Sequence, residues 1–90
     1  MLWDRNEVRI VDVSTAVQKR ILELCHERGI SINKLCTLSG VTQSTVNNIV
    51  SGRNNSATIS TIKKLCDGLE ITLGIFFSTP EFDALEQEIK

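Results

Sequence analysis

The stretch from Ser31 to Gly52 constrains the fold of this chain more than any other. It reads Ser-Ile-Asn-Lys-Leu-Cys-Thr-Leu-Ser-Gly-Val-Thr-Gln-Ser-Thr-Val-Asn-Asn-Ile-Val-Ser-Gly and predicts two short helices joined by a turn. Ser31 suits an N-cap, and Leu35, Cys36 and Leu38 supply the apolar face of the first helix. Gly40 stands where a helix ends in a left-handed residue, a conformation glycine adopts without steric penalty. Val41 is expected to plug the turn, and Thr42 to cap the second helix. Val46, Ile49 and Val50 then fall on one face at spacings of three and four. Gln43, Ser44, Asn47, Asn48 and Ser51 fall on the other.

The remainder of the chain supports the same fold class. Its 90 residues are 41% hydrophobic, with one proline and five glycines, which suits one all-helical domain with a modest core. Val8 and Ile10 alternate with Glu7 and Arg9 in an N-terminal arm that also holds Trp3. A first helix is expected with Ser14 as its cap, burying Val17, Ile21, Leu24 and Cys25, turning Gln18, Lys19, Glu23 and Glu27 to water, and ending at Gly29. After a polar loop, another helix from Thr58 is expected to bury Ile59, Ile62, Leu65, Cys66 and Leu69, with Gly68 near its end. A short fifth helix follows the cap Thr72, weakened by Gly74. Pro80 fits the first turn of a last helix of about ten residues. Thr79 would cap it, and Phe82, Leu85 and Ile89 would form its apolar stripe. The reading thus divides the chain into an arm (1–13), a helix-turn-helix domain (14–78) and an acidic C-terminal helix (79–90).

Charge is distributed unevenly. The net charge is −1 and the pI about 5.7, which argues against a nucleic-acid partner if taken alone. Between residues 14 and 66, however, Lys19, Arg20, Arg28, Lys34, Arg53, Lys63 and Lys64 face only Glu23 and Glu27. The acidic residues Glu81, Asp83, Glu86 and Glu88 gather in the tail, against Lys90. Distribution decides what a surface attracts.

Other functions lack their residues. Cys25, Cys36 and Cys66 are an odd number on apolar helix faces, matching no zinc spacing, and they read as small core side chains in a reducing compartment. With one histidine, His26, and no carboxylate cluster, the chain lacks a nucleophile with a base at useful spacing. No enzyme activity, metal, cofactor or small-molecule ligand is expected. The charged N-terminus is not a signal peptide and no apolar stretch approaches a membrane span, so a cytoplasmic protein without a membrane partner is expected.

From Ser14 to Phe77, the order of elements resembles the Cro/repressor-type (XRE) helix-turn-helix family. The residues that carry the likeness are Ile30-Ser31, Leu35-Cys36, Ser39 to Val46, Ile49, Ser51-Gly52-Arg53, Thr61-Ile62, Leu65-Cys66, Leu69 and Phe76. The resemblance implies an all-α bundle of five helices, here with an additional C-terminal helix, that binds double-stranded DNA sequence-specifically, often as a dimer. Carried over by position, Thr42, Gln43, Ser44 and Asn48 match base-facing places, with Asn47 beside them. Their amides and hydroxyls can donate and accept at base edges in the major groove, and Gln or Asn can bond adenine bidentately. Ser31, Asn33, Ser51, Arg53, Asn54 and Thr58 match places that contact the DNA backbone.

The chain departs from the family pattern in three ways. Cys36 and Cys66 replace the usual alanines, and Ala57 replaces a frequent loop proline. Cys25 and Val50 stand where the family often pairs an arginine with a glutamate. Both charges are gone together, so none is stranded, and an apolar contact is expected in their place. The resulting expectation is a DNA-binding transcriptional regulator, a repressor acting by promoter occlusion, dimerised through Phe77, Phe82, Leu85 and Ile89. The alternative is an antitoxin-like or other protein-interaction module that uses the same fold and engages its partner through the acidic tail.

Overall fold

Side-chain caps set where the helices begin. The computed structural model describes residues 13–52 and 57–85. The elements are α1 (Val13–Arg28), α2 (Ile32–Ser39), α3 (Gln43–Val50), α4 (Ile59–Leu69), α5 (Leu73–Phe76) and α6 (Pro80–Asp83). Among the described residues there is no strand. Four hydroxyls accept a hydrogen bond from the backbone N–H three residues on, which satisfies one of the free donors of a first helical turn. Ser31 Oγ accepts from Lys34 at 3.0 Å, and Thr42 Oγ1 from Thr45 at 3.3 Å. Thr58 Oγ1 accepts from Thr61 at 3.1 Å, and Thr72 Oγ1 from Ile75 at 3.0 Å. Gly40 closes α2 in the left-handed region at φ 73°, its N–H donating to Cys36 O.

Two of the expected caps behave differently. Ser14 lies inside α1, which already begins at Val13. Thr79 has the extended backbone of a cap, but its side chain makes no capping bond, and its Oγ1 is buried without a partner. The last helix is also shorter than the ten residues expected. It is a single turn, closed where Ala84 N–H donates back to Pro80 O at 3.1 Å. Ile89 and Trp3 lie outside the described residues.

The core draws on every helix from α1 to α5. Ile21, Leu35, Val46, Leu65, Cys66, Leu69 and Phe76 are its largest fully buried side chains. At about 25 cal/mol per Å² of apolar surface removed from water, each large one contributes roughly 1.5–3 kcal/mol. α2 packs on α4 and α3, while α1 packs on α3. Val41 and Val50 are half-buried against this core.

Two apolar residues expected inside are not there. Leu38 is 47% exposed and Ile59 is 62% exposed. At about 100° per residue, Leu38 lies roughly 110° from the middle of the Leu35–Cys36 face, while Ser39 falls within it. Ser39 satisfies its hydroxyl by donating to Leu35 O at 2.7 Å, so it can face the neighbouring helix. Ile59 is the first residue of α4 and projects beyond the bundle, and Ile62, one turn on, is the first to reach the core.

One charged side chain is buried in full view of the core. Arg20, on α1, donates from Nε to Phe76 O at 2.8 Å and from Nη2 to Ile75 O at 2.9 Å. Nη1 donates to Glu23 Oε1 at 2.7 Å. The guanidinium fork thereby satisfies Phe76 O at the end of α5 and shares Ile75 O with the Ser78 hydroxyl, which donates to it at 2.8 Å. On the same side of the molecule, Lys19 pairs with Glu81 between α1 and α6. Phe77 and Phe82 are half-buried, their ring centroids 4.9 Å apart and edge-on, and both lie against Phe76.

Candidate nucleic-acid interface

The turn between α2 and α3 presents one uncharged helix face to solvent. Val46 and Ile49 hold α3 to the core, so Gln43, Ser44 and Asn47 are exposed and Asn48 is half-buried at the edge. Thr42, also exposed, shares a 2.8 Å hydrogen bond with Thr45 Oγ1 and a 3.4 Å one with Ser44 Oγ in addition to its cap. Thr42 is therefore oriented by the helix it starts. The face offers amide and hydroxyl groups with no fixed charge, which suits discrimination between base edges better than generic attraction.

α2 and α3 are joined across this face by a side-chain hydrogen bond. Gln43 Nε2 donates to Asn33 Oδ1. Gln43 keeps its carbonyl oxygen and one N–H, and Asn33 keeps its amide donors, so the pair forms a shared donor–acceptor edge. Ser31 and Lys34 are exposed in the same first turn of α2 as Asn33. Five expected residues (Ser31, Asn33, Thr42, Gln43 and Ser44) thus belong to two connected helix starts. Ser51 lies at the opposite end of α3, its Oγ donating to Asn48 O at 3.4 Å. Thr58 is exposed at the head of α4 with its hydroxyl engaged in the cap and with Thr61. Arg53 and Asn54 lie outside the described residues.

The positive charge is sparser than the sequence suggested. Arg20 and Glu23 pair, Lys19 and Glu81 pair, and Lys63 and Asp67 pair. Arg28, Lys34 and Lys64 make no ion pair with another described residue, and of these Lys34 lies beside the Asn33–Gln43 edge.

The sequence reading missed one neighbour of this surface. Gly52 follows α3 at φ 82°, and a Cβ there would stand 3.5 Å from Gln18 Nε2 on α1. By its spacing alone Gln18 reads as part of the solvated side of α1. No spacing in the chain announces a contact between residues so far apart.

Burial pushes the Cys25, Cys36 and Cys66 thiols above their ordinary range, and the neighbouring Cys36 adds to the rise at Cys25. All three are unbonded core side chains.

Residues 20–80 match the family model of the Cro/C1-type HTH DNA-binding domain. This chain belongs to that family. It is similar to the solved structure of the prophage Lp1 protein 11, at 36% identity and a TM-score of 0.73, over 81% of this chain and 96% of that one. The wild-type restriction-modification controller protein C.Esp1396I shares the fold, at 20% identity and a TM-score of 0.70, over 83% and 95% of the two chains. No curated protein matches. Among the described residues, no helix is long and apolar enough to cross a membrane.

Proposed function

We propose that this protein is a sequence-specific double-stranded-DNA-binding transcriptional regulator, and that it represses by occluding a promoter. The observation that carries the reading is the uncharged, amide-rich outer face of α3, tied to the start of α2 by the Gln43–Asn33 bond. In this reading Thr42, Gln43, Ser44, Asn47 and Asn48 meet base edges in the major groove. Ser31, Asn33, Ser51, Arg53, Asn54 and Thr58 meet the phosphates on either flank.

A single α3 reads only a few base pairs. Two-fold pairing would set two copies about 34 Å apart, one turn of B-DNA. The proposed pairing surface is Phe77, Phe82, Leu85 and Ile89. Phe77 and Phe82 are half-buried at the rim of the domain, on the side that also carries α6. The alternative, a partner-neutralising module that works through the acidic tail, is weakened by the use of Glu81 within the domain, where Lys19 already holds it.

Selection of bound duplexes from a random pool tests the proposal. A recovered palindrome supports both sequence-specific binding and two-fold pairing. Recovery of no preferred sequence would refute sequence-specific regulation.

A further inference from the structure

Gln18 occupies an unusual position for a solvated helix residue. It stands about 100° around α1 from buried Val17, at the border of the core-facing side, and is half-buried. It makes no hydrogen bond to another described residue, so its carboxamide keeps its full donor and acceptor capacity. A group in that state either faces water or waits for a ligand.

The packing of α1 on α3 brings this amide to the end of α3. Its Nε2 lies 3.5 Å from where a Cβ on Gly52 would be. Gly52 is exposed and follows exposed Ser51 at the end of α3. Because residue 52 has no side chain, nothing from it stands over the Gln18 amide. A larger residue there would come between the amide and whatever lies along the end of α3.

We propose that Gln18 is a further anchoring residue of the DNA interface, its carboxamide donating past Gly52 to a phosphate alongside the C-terminal end of α3. The inference rests on the DNA-binding reading above. It adds a contact from α1, the helix on which α3 is seated, so the far flank of α3 would be fixed by two elements. Because Gln18 is neutral, the contact displaces no counterion and carries no sequence information.

Fluorescence anisotropy on a pool-selected duplex and on a scrambled one, across a salt series, tests this with full-length variants. Gln18→Ala is expected to weaken binding to both duplexes about three- to ten-fold, the scale of one neutral hydrogen bond, with an unchanged salt slope. Gln18→Lys is expected to bind more tightly than the native chain at low salt, with a slope steeper by about 0.9. A purely structural role for Gln18 predicts no such gain, so this variant keeps the test decisive even if Gln18→Ala loses stability. If the native chain binds DNA while Gln18→Lys shows neither gain nor steeper slope, the Gln18 assignment is overturned and the DNA-binding reading stands. If the native chain binds neither duplex, the DNA-binding reading falls, and this inference with it.

Discussion

Gly68 of α4 lies against the backbone of Ser39 so closely that a Cβ on residue 68 would be 2.9 Å from the N, Cα and Cβ of Ser39. The crossing of α2 and α4 is therefore set by the absence of a side chain. Ser39 is the last residue of the first helix of the turn motif, so this contact also fixes where α3 begins.

Replacing Gly68 by Ala is expected to destabilise the fold. Alanine gains about 1 kcal/mol of helix propensity over glycine. The clash costs about 1–3 kcal/mol, at the upper end here because the atoms in the way are mostly backbone and cannot rotate aside. A urea midpoint below that of the native chain is the expected result. A higher midpoint would mean that propensity wins and that the helices separate easily.

Arg20 is expected to be the most sensitive charged position among the described residues. Arg20→Met keeps much of the volume but leaves the Phe76 carbonyl without its Arg20 donor, while Ile75 O keeps the Ser78 hydroxyl, at about 1–3 kcal/mol. Arg20→Lys should recover only part of this loss, because an ammonium cannot serve two carbonyls and a carboxylate with one planar fork. Equilibrium unfolding of the three proteins measures both effects. Equal stability of Arg20→Lys and the native chain would deny the fork its role.

Much of this fold is legible in the sequence because its signals are local. Ser31, Thr42, Thr58 and Thr72 announce helix starts by residue type and position, and Gly40 announces an end. Leu38 and Ile59 are apolar yet exposed, because helical angle turns Leu38 off the core face and Ile59 sits in the first turn of α4. The relationships between distant residues left no trace. Arg20 reads as one more surface cation, Gly68 as a helix end and Gln18 as a solvated side chain, until the packing of α1, α2, α4 and α5 gives each its neighbour. Within the proposed site, the residue types were readable. The bond between Asn33 and Gln43 was not, since neither residue by itself indicates a partner.

The thiols predict a pH dependence at the alkaline end. Burial raises Cys25, Cys36 and Cys66 above the ordinary value of 9.0 in the folded state. The unfolded chain therefore loses its thiol protons first. The stability they contribute is complete below about 9 and is lost as pH rises through the folded values. Urea midpoints should fall from pH 9 upward. Cys66→Ala, less stable at every pH, should show a shallower fall, and an identical fall would assign the effect to other groups.

Binding and reading are expected to separate in the proposed interface. With few unpaired cations, the log–log salt slope should be modest, about −2 to −4 for each protomer. Arg53→Ala should weaken all duplexes alike and reduce that slope by about 1. Gln43→Ala should relax one base position, at roughly 1–3 kcal/mol of discrimination, and leave the slope unchanged. A selected motif unaltered by Gln43→Ala would mean that α3 docks in a different orientation.

The bond from Gln43 to Asn33 has a consequence for how such a protein acquires new targets. A free glutamine samples many rotamers, and ordering it on binding costs about 0.5–1.5 kcal/mol. Here that ordering takes place during folding, and the posture of Gln43, the proposed reading group, is inherited from the helix before it. Under the proposed docking, recognition at that base is a property of two positions. A lineage that drifts at residue 33 would re-aim Gln43 and alter its preferred site without changing any residue of α3. A lineage that changes residue 43 alone would leave Asn33 without its partner.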